Sequence, residues 1–254
     1  MAEAADTVSP VLATHGLTRR FGGLVAVRDV SISLRRGELH AVIGPNGAGK
    51  TTLVNMLSGE IRPTAGRIEL AGRDVTGEPP WRMTVLGIGR SFQRTNIFAG
   101  LSVRENVRLA VQAVAASPRR LFVRASRESE LADRAERALA RVGLTGAERI
   151  AGALSHGEQR QLEIAMALAS EPKVLLLDEP LAGMGPEESQ RMTGLLEELA
   201  REHALLLIEH DMDVVFAVAD WMTVMAEGAV LAAGRPEAIR ANVAVQQAYL
   251  GGAA

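Results

Sequence analysis

The chain has 254 residues, of which 47% are apolar and 23% charged, and its 28 basic and 30 acidic side chains give a formal net charge of −2. The apolar share is too high for a disordered chain, and the length is enough for one large domain with its own core. The near-neutral charge argues against the broad basic face of a DNA-binding protein, so we expect no nucleic acid partner. The absence of cysteine excludes disulfides and sites in which thiolates bind zinc or iron–sulfur clusters.

No stretch of the sequence has the length of a membrane span. The longest apolar stretches, such as residues 174–177 and 204–208, have the length of a strand, far below the roughly 20 residues that cross a bilayer. The first residues are acidic and lack the basic-then-apolar layout of a signal peptide. We therefore expect a protein of the cytoplasm, which can still attach to a partner in the membrane.

The first third of the chain predicts strands of two kinds. Residues 12–33 form two strand-like stretches around a tight Phe-Gly-Gly turn, and residues 67–70 form another strand between turn sequences. Residues 40–43 are a short apolar run that stops at a cluster of Gly, Pro and Asn, as a buried strand does where it enters a loop. These segments predict an antiparallel sheet beside a parallel one.

The middle of the chain is predicted to be helical, and the last third alternates strands with helices. Capping-box sequences, in which a glutamate follows a serine by three positions, predict helices over about 102–116 and 155–169. Apolar residues at helical spacing between 131 and 142 predict another helix, which Gly143 ends. The remaining predictions are strands at 173–177 and 204–208, helices at 186–203, 237–242 and 243–250, and a hairpin of residues 221–226 and 230–233. Such alternation implies a parallel sheet.

The strongest motif follows the strand at 40–43 and matches the pattern G-x-x-x-x-G-K-[ST]. Its residues are Gly44, Pro45, Asn46, Gly47, Ala48, Gly49, Lys50 and Thr51, with Thr52 next to them. Glycines let backbone N–H groups approach a phosphate, and the helix that follows adds its positive N-terminal end. Lys50 would reach the β- and γ-phosphates of ATP, and the Thr51 hydroxyl would bind Mg²⁺, which prefers oxygen ligands. A turn that merely connects a strand to a helix has no need of Lys followed by Thr.

A second part of the same site is predicted at the end of the strand over 173–177. A strand that ends in a carboxylate places Asp178 at the carboxyl edge of the sheet, where Mg²⁺ can be held through water. Glu179 is then placed to polarise or deprotonate an attacking water molecule. Alone, a strand that ends in Asp-Glu-Pro is more often only a strand end. Together with the phosphate loop it indicates ATP hydrolysis.

With these motifs the sequence resembles the ATP-binding-cassette (ABC) ATPases. Residues 154–158, Leu-Ser-His-Gly-Glu, look like the signature motif of that family and lie on the second capping box. The resemblance implies that Ser155 and the amide of Gly157 contact the γ-phosphate of ATP held by a second ABC subunit, identical or related. Two chains would then pack head to tail around two ATP molecules. Taken alone, these residues would be interpreted as an ordinary helix cap.

The resemblance assigns three further positions. Gln93 occupies the glutamine loop, which touches Mg²⁺ and transmits the nucleotide state to a helical subdomain. His210 occupies the switch-histidine position, which contacts the γ-phosphate, although a lone histidine at a strand end is usually a solvated polar residue. Phe21 is the expected adenine-stacking aromatic, with core packing as the competing interpretation. The expected catalytic residues are therefore Lys50, Gln93, Glu179 and His210, and the expected Mg²⁺ ligands are Thr51, Gln93 and Asp178.

The resemblance covers nearly the whole chain and implies its architecture. We expect an α/β P-loop NTPase fold with a mixed parallel sheet, an antiparallel β subdomain and an inserted α-helical subdomain. The whole chain, 1–254, would be a single ABC ATPase domain. Residues 1–92 and 171–254 would form its RecA-like core with the antiparallel β subdomain, and about 93–170 the helical subdomain with the signature motif.

Finer features point to one branch of the family. The segments Phe-Gly-Gly-Leu-Val-Ala-Val at 21–27, Arg-Ser-Phe-Gln at 90–93, Leu-Glu-Ile-Ala at 162–165 and Glu-His-Asp-Met at 209–212 look like the ATPase subunits of bacterial branched-chain amino acid importers. That resemblance implies a peripheral subunit on the cytoplasmic face of the inner membrane. Its partners would be permease subunits and, indirectly, a periplasmic solute-binding protein.

Other functions stay open at this point. The branch also serves urea, amides and some aromatic acids, so the solute is not fixed. An ATPase of lipopolysaccharide export is the alternative in the same fold. A non-transport ABC ATPase of DNA repair would need a long coiled-coil insertion, for which this chain has too few residues. A non-catalytic binding module is disfavoured because Lys50, Asp178, Glu179 and His210 are all present.

The resemblance also implies a docking site for the permease. A cytoplasmic helix of a permease would dock near Gln93 and residues 95–142, with Phe98 and Leu101 as candidate contacts and burial in the core as their alternative.

The signature departs from the family pattern, since His156 and Glu158 replace a glycine and a glutamine. Gly185 stands where the family commonly has Asp or Asn, which removes a side-chain contact across the dimer.

Overall fold

The structure, a computed structural model, describes residues 9–92, 95–115 and 125–250. Within these residues it consists of two sheets and a set of helices, as the sequence predicts for an α/β fold with an antiparallel part. In the described part of the chain, no helix combines the length and the apolarity that a membrane span requires.

A mixed six-stranded sheet lies at the centre. Its strands are β4 (Glu38–Ile43), β7 (Ile88–Arg90), β8 (Val174–Asp178), β9 (Ala204–Ile208), β10 (Trp221–Ala226) and β11 (Ala229–Gly234). They lie in the order β11-β10-β4-β9-β8-β7, and all pairs are parallel except the hairpin of β10 and β11. Every residue of β8 and β9 is buried, which explains why their sequences are apolar without alternation.

An antiparallel sheet lies beside it, as predicted. Its strands are β1 (Leu12–Phe21), β2 (Leu24–Val30), β3 (Ser33–Leu34), β5 (Ala65–Leu70) and β6 (Arg73–Asp74). The order is β2-β1-β5-β6, and β3 pairs with β1. Leu12 and Leu34 of this sheet share one buried apolar cluster with Val42 and Leu206 of the central sheet. This shared core holds the two sheets in a fixed relation.

Helices surround the central sheet and connect its strands. They are α1 (Lys50–Leu57), α2 (Pro80–Leu86), α3 (Val103–Ala115), α4 (Ala125–Arg141), α5 (His156–Leu168), α6 (Pro186–Glu202), α7 (Met212–Val218), α8 (Pro236–Arg240) and α9 (Val243–Leu250). Helices α3, α4 and α5 pack against one another and share an apolar cluster with the central sheet, for example through Val107, Leu139 and Leu162 against Leu175. This cluster fixes α5, whose N-terminus carries the signature sequence.

Both predicted capping boxes are present. Ser102 N–H donates to Glu105 Oε2 (2.8 Å), and Glu105 N–H donates to Ser102 Oγ (3.2 Å). Ser155 and Glu158 make the same pair of bonds at 2.8 and 3.2 Å. Each box satisfies N–H groups that the first turn of a helix leaves free, so it sets where the helix begins.

Candidate active site

The phosphate-loop sequence lies between the end of β4 and the start of α1, at the carboxyl edge of the central sheet. Two of its glycines are required both by space and by backbone angle. Gly44 has φ +151° and Gly49 has φ +97°, and a Cβ atom would lie 2.1 Å from the carbonyl oxygen of Met225 or 2.3 Å from that of Ala26, respectively. A side chain at either position would displace the loop. These glycines therefore seat it against β10 and β2.

Lys50 begins α1, and its ammonium group folds back over the loop. Nζ donates hydrogen bonds to the carbonyl oxygens of Gly44 (2.7 Å) and Pro45 (3.1 Å), and the residue is buried. Burial lowers the pKa of Lys50, while the carboxylates of Glu179 and Asp178 raise it. A positive side chain thus lies beside a helix N-terminus, and both attract a phosphate.

Asp178 ends β8 and is buried, with 1% of its surface exposed. Neither of its carboxylate oxygens has a hydrogen-bond partner within the part of the chain that the structure describes. Burial raises the pKa of Asp178, and the positive groups of Arg90 and Lys50 lower it. A buried carboxylate without hydrogen bonds is costly, so Asp178 is suited to hold a cation or the water molecules around one.

The residues at this edge fit Mg²⁺ shared with a phosphate. Mg²⁺ in nucleotide sites keeps several waters and takes one or two protein oxygens besides phosphate oxygens. The exposed Thr51 in the first turn of α1 and the carboxylate of Asp178, which has no hydrogen bond to the described residues, offer such oxygens. Over the described residues, no group of three or more His, Asp or Glu side chains could hold a metal by itself. Gln93, the third expected ligand, lies outside the described residues.

Glu179 and His210 meet at the mouth of this site. His210 Nε2 lies 2.7 Å from Glu179 Oε1, although the two residues follow different strands. Glu179 has φ +52°, a left-handed conformation that is uncommon for glutamate. Its N–H donates to the carbonyl oxygen of Ile208 (2.9 Å), which ties the turn after β8 to the end of β9. Strained backbone of this kind persists where the surroundings hold it, often at functional sites.

A cavity of about 740 Å³ opens over the phosphate loop, and it is also lined by Phe21, Glu179 and His210. Phe21 is 42% exposed, and the guanidinium of Arg19 lies 4.5 Å from its ring centroid. The core-packing interpretation of Phe21 is therefore wrong. The residue lines the cavity, where a planar base could stack on its ring.

The hairpin turn between β10 and β11 also reaches the cavity, which the sequence did not indicate. Glu227 has φ +49° and lines the cavity together with Gly228. Gly228 N–H donates to the carbonyl oxygen of Ala48 (3.2 Å), and Arg28 N–H donates to that of Gly228 (2.7 Å). The turn thus braces the phosphate loop against β2. A Glu-Gly pair between two strands predicts a hairpin but not where its tip lies.

Ser155 and Gly157 lie at the N-terminus of α5, away from this cavity. Glu158 accepts hydrogen bonds from both terminal nitrogens of Arg149, at 2.5 and 2.9 Å, besides closing the capping box. The hydrogen bond from Arg149 lowers the pKa of Glu158. The glutamate that replaces the usual glutamine of the signature therefore remains a negative group that anchors the start of α5.

A carboxylate from α6 lies against the start of α5. Ser155 Oγ donates to Glu188 Oε1 at 3.4 Å, and a Cβ atom at Gly157 would lie 2.9 Å from the same carboxylate. Gly157 and Glu188 line a second cavity of about 290 Å³, which does not share residues with the first. Within one chain, the phosphate loop and the start of α5 thus face separate cavities.

The residues on either side of Gln93 and Arg94 are held by α5. Arg160 donates to the carbonyl oxygen of Phe92 (2.5 Å), and Glu163 accepts from the N–H of Asn96 (2.6 Å). Arg160 and Glu163 also form an ion pair at 2.8 Å, with side chains 5% and 3% exposed. Helix α5 therefore links the signature end to the segment in which the resemblance places the glutamine loop.

Known proteins resemble this chain in sequence and in fold. The sequence profile of the ABC transporter family matches residues 27–182, and the profile of the branched-chain amino acid ATP-binding cassette transporters matches residues 229–254. A solved nucleotide-free ATP-binding cassette of an ABC transporter superimposes with a TM-score of 0.85 and 30% sequence identity, covering 95% of this chain and 99% of that one.

Curated relatives extend the match over nearly the full length. The LivG protein of Salmonella typhimurium, a high-affinity branched-chain amino acid transport ATP-binding protein, is 43% identical over 95% of this chain and 98% of its own. The BraF protein of Pseudomonas aeruginosa, described in the same words, is 41% identical over the same shares. The expected fold class and family are thereby confirmed. The chain belongs to the ABC transporter ATPases, in the branch of the branched-chain amino acid transport ATP-binding proteins.

Proposed function

We propose that this chain is the ATP-hydrolysing subunit of a bacterial importer of branched-chain or closely related amino acids. The observation that carries the proposal is the pairing of Glu179 with His210 over a phosphate loop, in a chain that matches LivG over nearly its whole length. A non-catalytic binding module would not need a carboxylate and an imidazole at the phosphate end of the cavity. The match to LivG and BraF favours amino acid uptake over lipopolysaccharide export, urea or amide uptake, and DNA repair.

ATP would lie in the larger cavity with its base on Phe21 and its phosphates on residues 44–52. Lys50 would exchange its bonds to the loop carbonyls for bonds to the β- and γ-phosphates. Thr51 and Asp178, with Gln93, would hold Mg²⁺, which supplies positive charge to the phosphate oxygens. These residues bind and orient the substrate, so that the γ-phosphate faces the mouth of the cavity.

Hydrolysis needs a base for the attacking water, and the carboxylate of Glu179 lies at the mouth of the cavity. Its carboxylate would accept the proton of a water molecule in line with the γ-phosphate, and a base in this role accelerates a reaction by about 10²–10⁴-fold. His210 donates to that carboxylate in this structure. With ATP bound, the imidazole would also steady the γ-phosphate, so the pair would orient both reactants.

A second subunit would complete each site. The start of α5 faces its own cavity, apart from the phosphate loop of the same chain. Ser155 and the N–H of Gly157 would therefore serve ATP bound to a partner chain in a head-to-tail dimer. Glu188 now accepts from Ser155, so it would have to leave when a phosphate arrives.

We also propose the division of the chain and its place in the cell. Residues 1–92 and 171–254 would form the core, and about 93–170 the helical subdomain, which the mutual packing of α3, α4 and α5 supports. The chain would sit on the cytoplasmic face of the inner membrane, bound to permease subunits that receive solute from a periplasmic binding protein. Phe98 is 55% exposed, so its burial in the core is excluded and it stays a candidate contact, whereas Leu101 is half-buried.

Reconstitution tests the proposal. The chain is co-expressed with candidate permease subunits and a partner cassette and placed in vesicles that hold ATP, with the candidate solute-binding protein outside. Uptake of leucine, isoleucine or valine that disappears in a Lys50→Ala variant would support it. If the vesicles take up urea or amides in an ATP-dependent manner but take up no branched-chain amino acid, the substrate assignment is wrong. Copurification with nucleic acid rather than permease would overturn the transport function.

A further inference from the structure

Glu209 is a buried carboxylate between the end of β9 and the switch histidine. Only 4% of its surface is exposed, and burial raises its pKa. Within the described residues, its hydrogen bonds go neither to the phosphate loop nor to Asp178, and it does not line the larger cavity. A carboxylate is expensive to bury, so its contacts must compensate for the loss of water.

Each of its two oxygens accepts a backbone N–H from a different loop. Glu209 Oε1 accepts from Leu181 N–H at 2.8 Å, and Oε2 accepts from His210 N–H at 3.1 Å. Leu181 lies two residues after Glu179, in the turn that follows β8. One carboxylate thus joins the backbone that carries the expected base to the backbone that carries the expected phosphate contact.

We propose that Glu209 is a positioning residue for ATP hydrolysis, which fixes the loops of Glu179 and His210 so that their side chains meet. The inference rests on the proposed function of that pair. It explains why a charged side chain occupies this buried place. An ionised carboxylate accepts at both oxygens and has no donor of its own, whereas a carboxamide of the same shape accepts at one end only.

A positioning role predicts a loss of turnover without a loss of ATP binding. In Glu209→Gln one of the two N–H groups would face an NH₂ group, and its loop would shift. A displacement of a catalytic group by about 1 Å can lower kcat about a hundredfold. We therefore expect kcat of Glu209→Gln to fall by about ten- to a hundredfold. Glu209 does not line the nucleotide cavity, so the dissociation constant for ATP should stay within about twofold.

The experiment uses the complete transporter, with kcat and KM for ATP, ATP affinity and thermal stability measured for each variant. Glu209→Asp keeps two acceptor oxygens on a shorter side chain, so we expect its kcat to lie between those of the wild type and Glu209→Gln. Glu38→Gln is the matched control, because Glu38 is also a largely buried carboxylate but stands at the start of β4, at the opposite end of the sheet. Its kcat should equal that of the wild type.

Three outcomes would overturn the inference. One is a Glu209→Gln variant with wild-type kcat. Another is a Glu209→Gln variant whose loss of kcat is fully explained by weaker ATP binding or by a smaller fraction of folded protein. If Glu209→Gln does not fold, a folded Glu209→Asp with wild-type kcat would show that the residue is only structural. Glu179→Gln is measured in parallel, since hydrolysis at the wild-type rate by that variant would refute the proposed function itself.

Discussion

His210 Nε2 and Glu179 Oε1 are 2.7 Å apart, and the main-chain N–H of Glu179 is bonded to Ile208, two residues before the histidine. The contact brings together two residues that lie 31 positions apart in the chain. It places an imidazole directly on the group that we expect to take the proton from water.

Glu179→Gln should abolish turnover and leave ATP binding intact. The amide keeps the shape of the side chain but cannot accept a proton, so kcat should fall on the order of 10²–10⁴-fold. ATP-driven dimers should then accumulate, because the nucleotide is no longer consumed. Turnover by the assembled transporter and sedimentation of the isolated subunit with ATP measure the two effects. Asp211→Asn is a control next to the site, since Asp211 caps α7 and does not line the cavity.

The parts of the fold that the sequence predicted are those with a local cause. The phosphate loop, the two capping boxes and the apolar runs of β8 and β9 each depend on neighbouring residues only. The segments Ile88–Arg90, Pro80–Leu86 and Met212–Val218 were not predicted, because a strand of three residues or a helix of seven is too short to show a period. Their structure comes from packing against elements distant in sequence.

The contacts that join separate loops were equally invisible in the sequence. The hydrogen bond between Ser155 and Glu188 depends on how α6 packs beside α5. The hydrogen bond from Gly228 to the phosphate loop depends on the parallel pairing of β10 with β4. Glu209 was part of a segment that marks the family branch. Its two bonds follow from the meeting of two strand ends, which no spacing in the sequence encodes.

The buried ion pair on α5 should be sensitive to the loss of one partner. In Glu163→Gln, the guanidinium of Arg160 would lose its buried ion pair with Glu163, and the loss of one member of such a pair typically destabilises a protein by about 3–5 kcal/mol. Urea unfolding measures the difference. Glu148→Gln is the control, because Glu148 pairs with Arg104 on the surface and should change stability little. Equal stabilities of the two variants would contradict a buried, dry pair.

The stability of the protein should fall in acid through His40. This residue is buried between Ser33 and Thr223, and burial lowers its pKa from 6.5 to about 4. The unfolded chain therefore binds a proton at a higher pH than the folded chain does. The stabilising contribution is complete above pH 6.5 and is lost progressively as the pH falls towards 4, and it amounts to about 3 kcal/mol.

Urea unfolding at pH 7, 6 and 5 measures this dependence, and His40→Gln isolates it from other groups. Glutamine does not bind a proton in this pH range. The unfolding free energy of His40→Gln should therefore fall less steeply with decreasing pH than that of the wild type. His15→Gln is the control, since the side chain of His15 is 46% exposed and lies 3.3 Å from the carboxylate of Glu69. Parallel curves for the wild type and His40→Gln would contradict the assignment.

Glu188→Gln should make ATP-driven dimerisation easier. The carboxylate of Glu188 lies against Ser155, where the γ-phosphate of a partner's ATP is proposed to bind, and two negative groups at one place repel each other. In a Glu179→Gln background, which keeps ATP intact, dimers should form at a severalfold lower ATP concentration once this charge is removed. Sedimentation over a series of ATP concentrations measures the midpoint.

Glu187→Gln provides the matched control for this experiment. Glu187 is exposed in the same first turn of α6 and carries the same charge, but the structure gives it no contact with Ser155. A shift of the midpoint by Glu187→Gln as large as that by Glu188→Gln would mean that net charge alone governs dimerisation. A shift towards higher ATP in Glu188→Gln would mean that the carboxylate holds Ser155 in place for the phosphate. The sign of the shift therefore shows whether Glu188 repels the phosphate from the start of α5 or orients Ser155 to bind it.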